Sequence, residues 1–276
     1  MTKRPSGTRP PYAVLSRHYD EAYASWRVFL SIARDELFRK HRVRFASVLD
    51  AGAGSGWQAL ELARRGARVV AVEPVASFLP PLRRAAKAAS LPVDVRQGAL
   101  PSLPLQPGER FDLALATFDV LNHLPSRPLL GAALGSLAAG LRRGGHLLFD
   151  VVTPETIGLF PEHHRVTRLA SGILSAETAA LDPDTGDGIL TRDWFLPVKG
   201  TRGSDRGDRG DGSDGSDEET LYRLVRESYR EIAWQREEVE EALDQAGFTV
   251  RLFDDASGWI SLSPPGARWL VLARRR

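Results

Sequence analysis

The residues best placed to do chemistry lie in one stretch, VLDAGAGSG at positions 48–56. An apolar run ends in Asp50, glycines follow at Gly52, Gly54 and Gly56, and from Trp57 apolar residues recur at helical spacing. A strand, glycine turn and helix start of this kind lets the backbone lie close to a ligand, because a Cβ would block the approach and the dihedrals are costly for other residues. A second apolar run, RVVAVE at 68–73, ends in Glu73. That places a carboxylate about 20 residues beyond the first glycine, where it can accept hydrogen bonds from ribose hydroxyls. The expected ligand therefore carries a ribose. A dinucleotide fingerprint would need glycine three positions after Gly54, and Trp57 stands there instead. Asp50 would repel a pyrophosphate and suits a ligand with an ammonium group.

A second candidate stretch follows the apolar run FDLALATF at 111–118, which continues as FDVLNHL to position 124. In doubly wound sheets ligands sit outside the carboxyl ends of the strands. Thr117, Phe118, Asp119, Asn122 and His123 are thus expected near a reaction centre. His123 is the candidate general base, since imidazole titrates near neutral pH; the alternative is a loop histidine packed or solvated at the rim. Asp119 and Asp150 would either orient a substrate amine or cap their strand ends. His163 and His164 either reach a substrate or lie on the surface.

Together with the order of the segments, VLDAGAGSG and AVEP (71–74) resemble the first two motifs of the class I S-adenosylmethionine-dependent methyltransferases. HYDEAYASW (18–26) resembles the segment that covers the methionine end of the cofactor. FDVLNHL and FDVVTP (149–154) resemble motifs of bacterial small-molecule methyltransferases. The resemblance implies S-adenosylmethionine as cofactor, with Asp50, Ala51, Gly52 and Gly54 around its methionine portion and Glu73 and Pro74 at the ribose. Gly98, Ala99 and Leu100 would flank the adenine, Tyr19 would meet the carboxylate, and Thr117 and Phe118 would adjoin the methyl. The family commonly has a carboxylate where this chain has Ala99. For Tyr19 and Trp26 the alternative is aromatic core packing.

These stretches need elements to hold them. Residues 1–11 read as a disordered arm and 12–39 as one or two amphipathic helices. A helix is expected over 75–89, a strand over 92–97, a helix over 127–141 closed by Arg142, Arg143, Gly144 and Gly145, and a strand over 146–154. Alternating segments at 165–181, 189–197 and 221–233 predict an antiparallel insertion within 154–234. Inside it, 200–217 has nothing to bury and reads as a disordered acidic loop; its irregular spacing argues against a metal site. A helix over 236–247 and strands at 248–253 and 268–273 complete the chain. The expected fold is α/β, a doubly wound Rossmann-like sheet with an antiparallel C-terminal hairpin and an inserted antiparallel β subregion, forming one domain over 12–276.

The chain has 276 residues, a net charge of +2 and no cysteine. Disulfide and thiolate chemistry are therefore excluded, and no apolar run is long enough to span a bilayer. The expectation is a cytoplasmic enzyme methylating nitrogen or oxygen of a small molecule, with nucleic acid not implied and no membrane partner. An RNA or protein methyltransferase is the alternative within the class, and a non-catalytic cofactor-binding module or a nicotinamide oxidoreductase outside it. Deleting residues 203–216 is expected to leave the thermal midpoint unchanged; a large drop in a melting experiment would refute the disordered reading of that loop.

Overall fold

The computed structural model describes residues 8–159, 164–198, 221–255 and 267–276. The arm up to residue 7, His163 and the acidic loop 200–217 lie outside the described residues. In chain order, β1 (Thr8–Arg9), α1 (Leu15–Ala22) and α2 (Ala24–Lys40) precede β2 (Ser47–Ala51), α3 (Trp57–Arg64), β3 (Arg68–Glu73), α4 (Leu79–Ala88), β4 (Val93–Gln97) and β5 (Phe111–Ala116). Then follow α5 (Leu129–Gly140), β6 (Leu141–Val152), α6 (Pro154–Gly158), β7 (His164–Arg168), β8 (Leu174–Leu181), β9 (Gly188–Pro197) and β10 (Tyr222–Glu231). The last elements are α7 (Arg236–Gln245), β11 (Phe248–Asp255) and β12 (Arg268–Arg275).

Strands with apolar residues on both faces need cover on both sides. The central sheet runs β11-β12-β6-β5-β2-β3-β4, parallel except for the β11–β12 hairpin, which joins β6 antiparallel. Alternation divides its side chains between two cores. Leu49, Val70, Ala114 and Phe149 pack with Leu134 and Leu137 of α5 and Leu243 of α7. Val48, Val69, Leu113 and Leu148 pack on the other face with Leu37 of α2, Leu62 of α3 and Leu82 of α4. The chain winds outward from β2 to β4 and then returns to β5 on the other side of β2. That reversal opens a crevice at the carboxyl ends of β2 and β5, where ligands bind in such sheets.

The insertion forms a second sheet, ordered β1-β10-β9-β8-β7. It departs from the sequence expectation in two ways. The segment 165–181 is a hairpin of two strands, β7 and β8, turned at Gly172 (φ +82°), with the Ser171 N–H and hydroxyl bonded to Glu21 of α1. Within the expected arm, the described residues Thr8–Arg9 lie parallel to β10, as a short strand before Pro11. In the central sheet, residues 142–145 do not end a helix. They belong to β6, where a register shift between Phe111 and Leu113 absorbs them and Arg142 pairs with Asp112 at 2.7 Å.

The two sheets are joined at a short 3₁₀ turn, Val120–His123. Asn122, 0% exposed, donates to the carbonyls of Val152 (3.0 Å) and Ile232 (2.7 Å) and accepts the Val152 N–H (3.0 Å). Its carbonyl takes the Ile232 N–H at 2.8 Å. The side chain expected near the reaction centre is thus a buried clamp between the ends of β6 and β10. Asn122→Ala leaves buried backbone groups unpaired and is expected to lower unfolding free energy by about 3 kcal/mol, read as a lower urea midpoint at unchanged slope.

Candidate active site

The glycine turn is built against the segment after β5. Gly52 has φ +76°, and a Cβ there would lie 2.4 Å from Cγ2 of Val120. Gly54 has φ +55°, and its N–H donates to Glu73 Oε2 at 2.7 Å, while the Val75 N–H donates to Oε1 at 2.8 Å. Glu73 therefore bridges the turn and the end of β3, and burial raises its pKa. A cavity of about 140 Å³ lies over this turn. Gly52, Gly54, Glu73 and Pro74 border one part of it, Gly98, Ala99 and Leu100 a second, and Tyr19, Phe118 and His123 a third. Val72, Phe78 and Leu103 add apolar walls.

Other expected site residues stand behind these walls. Asp50 is 2% exposed within β2 and does not line the cavity. Burial, followed by the nearby Glu73 carboxylate, raises its pKa to about 7, while Arg34 and the Ala59 N–H in the first turn of α3 act the other way. Ala51 is buried in the same strand, and the Thr117 hydroxyl accepts a hydrogen bond from Gln58 of α3. All three hold the turn's scaffold, because the strand ends before its backbone reaches the cavity.

After β5 the backbone makes an unusual turn. Phe118 (φ +67°) and Asp119 (φ +62°) are consecutive non-glycine residues in the left-handed region, a costly conformation that the surroundings must hold. The Phe118 N–H donates to Asp150 Oδ1 at 2.6 Å, and Arg268 of β12 pairs with both Asp119 and Asp150. Burial opposes the charge of Arg268, but the two carboxylates overcome it and raise its pKa. Asp150 is raised to about 6, by burial first, against the pull of Arg268. Of the two readings held open, the strand-end brace describes Asp150; Asp119 is braced too, yet also borders a second cavity.

That second cavity, about 60 Å³, shares Tyr12, Tyr19, Phe118 and His123 with the first and is bordered on its far side by the inserted sheet. The shared wall depends on the N-terminal segment, which Glu227 of β10 anchors. This carboxylate, 0% exposed, accepts the N–H groups of Val14 and Leu15, the Trp194 indole N–H at 2.9 Å and the Tyr229 hydroxyl at 2.5 Å. His123 contacts the Arg230 carbonyl through Nδ1 at 3.2 Å and the Tyr12 hydroxyl through Nε2 at 3.1 Å. A carbonyl only accepts, so Nδ1 carries the proton and Nε2 takes the one from Tyr12. Burial lowers the His123 pKa, keeping the imidazole neutral.

From the inserted sheet, Arg192 of β9, Tyr229 and Glu231 face the second cavity. Arg192 pairs with Glu177 of β8 and donates to the Tyr23 hydroxyl at 3.0 Å. Sequence reasoning missed Tyr12, Arg192, Glu231 and Arg268. One signal was present: Val225, Glu227, Tyr229 and Glu231 occupy alternate positions, so two carboxylates share the strand face of buried residues. Among the expected residues, His164 is exposed and borders neither cavity.

The Asp50 pKa makes stability depend on pH. A carboxyl that titrates near 4 unfolded and near 7 folded favours the fold fully below about pH 4 and loses that contribution as pH rises toward 7. Relative to Asp50→Asn, the wild type is expected to lose roughly 1.4 kcal/mol per pH unit across that window, measured by urea unfolding at several pH values; parallel stability curves for the two proteins would contradict the assignment.

Comparison with known proteins agrees with this architecture. Residues 48–145 match the family model described as a methyltransferase domain. A ubiquinone biosynthesis O-methyltransferase of Bradyrhizobium sp. is 36% identical over 105 residues, covering 38% of this chain and 39% of that protein, so the chain spans about two fifths of that relative's length. The structure of an S-adenosylmethionine-dependent methyltransferase from Clostridium acetobutylicum aligns with TM-score 0.71 and 16% identity over 96% of this chain and 98% of that one. An S-adenosylmethionine-bound amino pentose methyltransferase from Micromonospora echinaspora aligns with TM-score 0.66 and 20% identity over 94% and 96%. The glycine turn and the carboxylate ending β3 thus sit within a segment that matches a methyltransferase domain, and the fold as a whole, with its β11–β12 hairpin, is shared with solved S-adenosylmethionine-dependent methyltransferases.

Proposed function

We propose that the protein transfers a methyl group from S-adenosylmethionine to nitrogen or oxygen of a small molecule. The observation that carries this reading is the pair of cavities meeting at Tyr12, Tyr19, Phe118 and His123, one over the glycine turn and the other under the inserted sheet. The first cavity suits the cofactor's parts. Its glycines leave room for the methionine portion, Glu73 supplies acceptors for the ribose hydroxyls, and the apolar wall of Val72, Leu100 and Leu103 matches a purine. Tyr19 would meet the carboxylate end and Phe118 the methyl.

When bound, S-adenosylmethionine supplies a methyl already activated by a positively charged sulfur. The protein's remaining tasks are to align the acceptor and exclude water, and positioning of this kind lowers barriers by several kcal/mol. His123 and Asp119 border the second cavity, where they would orient the acceptor. A small acceptor fits the confined volume and the absence of a continuous basic face in the sequence, and the amino pentose methyltransferase of similar fold acts on a molecule of this class. Among the described residues no helix is long and apolar enough to cross a membrane.

Isothermal titration with S-adenosylmethionine and S-adenosylhomocysteine tests the reading. The wild type is expected to bind both, and Glu73→Ala to weaken binding by roughly 10-fold or more through loss of hydrogen bonds to a charged group. Gly52→Ala, whose Cβ would meet Val120, is expected to act in the same direction. Absence of binding by folded wild-type protein would overturn the methyltransferase reading.

A further inference from the structure

Glu231 ends β10 under the second cavity, and its carboxyl is held differently from its neighbours. Asp119 and Asp150 share Arg268, Glu177 pairs with Arg192, and Glu227 is filled by N–H and O–H donors. Glu231 is half-buried, yet among the described residues no hydrogen bond or ion pair reaches its carboxyl. Its partner across the strands is Gly188, so no cross-strand side chain covers it. A carboxyl left unpaired at a cavity wall is costly unless a ligand meets it.

The groups around Glu231 define what that ligand is. Asp119 and His123 face it from the turn after β5, Arg268 stands behind Asp119 on β12, and Glu177 and Arg192 lie on β8 and β9. Tyr229 adjoins it on its own strand, and Tyr12 and Tyr23 approach from the N-terminal segment. Both guanidiniums are already engaged by other carboxylates, so a bound cation finds an anionic wall. Burial first, then Asp119 and Glu177, raise the Glu231 pKa to about 8 against Arg268 and Arg192. His123 is less suited to take a proton, because Tyr12 occupies its only basic nitrogen.

We propose that Glu231 is the proton acceptor of the acceptor site and that the acceptor is an amine, bound as its ammonium against the Glu231 carboxylate. This rests on the methyltransferase reading. The N–H bond breaks toward Glu231, the proton moves to a carboxyl oxygen, and the electron pair stays on nitrogen as the lone pair that the methyl requires. An alkylammonium group titrates near 10, as lysine does at about 10.4, so a carboxylate raised by its surroundings is matched to it. An alcohol would have to develop negative charge beside Asp119, which the same wall opposes.

The test uses full-length protein saturated with S-adenosylhomocysteine at pH 7. Benzylamine and cyclohexylamine are titrated by calorimetry against benzyl alcohol and cyclohexanol, in two buffers of different ionisation enthalpy. In the wild type the amines are expected to bind with release of close to one proton as Glu231 ionises to meet the ammonium, and the alcohols to give no binding heat. Glu231→Gln should bind S-adenosylhomocysteine as the wild type does and lose amine binding with its proton release, while Glu231→Asp restores part of both. In transfer assays with the same amines, Glu231→Gln is expected to lower kcat/KM by about 100-fold and to leave a pH profile that follows only the amine's own titration. Amines that fail to bind, alcohols that bind equally, or amine binding unchanged in Glu231→Gln would each overturn the proposal. Failure of S-adenosylhomocysteine to bind at all would instead overturn the methyltransferase reading beneath it.

Discussion

One half-buried guanidinium holds the site in shape. Arg268 enters from the last strand and meets Asp150 at the end of β6 and Asp119 in the turn after β5. Asp150 in turn fixes the Phe118 N–H, so two successive left-handed residues are kept in a conformation that neither side chain favours. Their direction places Val120 against Gly52 and His123 against Tyr12. Removing one partner of such a buried cluster is more damaging than the pairwise attraction alone suggests, because an uncompensated charge remains.

The cluster is also unequal in charge. Two carboxylates share one guanidinium, and Asp119 contributes to raising the pKa of both Asp150 and Glu231. Hydrogen bonding at Glu227 solves a separate problem by pinning the start of α1 to the inserted sheet, which carries Tyr12 and Tyr19 to the boundary of both cavities. The geometry of the site and its electrostatic character therefore have different sources: strand ends and glycines shape the first cavity, and long-range ion pairs set the polarity of the second.

This division explains what could be read from the sequence. The glycine turn, Glu73 and the order of the central strands follow from local chemistry: apolar runs of strand length, glycines where φ is positive, and a carboxylate at a strand end. The resemblance implies Asp50 and Ala51 at the methionine portion, and the end of β5 implies Thr117 near the methyl; burial in β2 and the bond from Gln58 instead turn these side chains toward the scaffold. Arg268 is separated from Asp119 by 149 positions, and the Val14 N–H from Glu227 by 213. No local pattern predicts such meetings. The alternation of β10 did mark its buried face, yet a carboxylate on that face reads equally well as a strand end in water. The division of 165–181 into a hairpin has only the Ser171–Gly172 pair as its local turn signal.

The inserted sheet meets the central sheet at the Asn122 clamp and in a small shared cluster, where Val152 of β6 packs with Ile157, Ala179 of β8 and Leu190 of β9. Val72, Glu73, Gly98 and Val120 around the glycine turn belong to the central winding, Tyr12 and Tyr19 to the N-terminal segment, and Arg192, Tyr229 and Glu231 to strands hydrogen-bonded among themselves. The two cavities are consequently tied together through the N-terminal segment. A change at Glu231 stays local to the second cavity, whereas a change at Glu227 or Tyr229 on the same strand face would reach both cavities through Tyr12 and Tyr19.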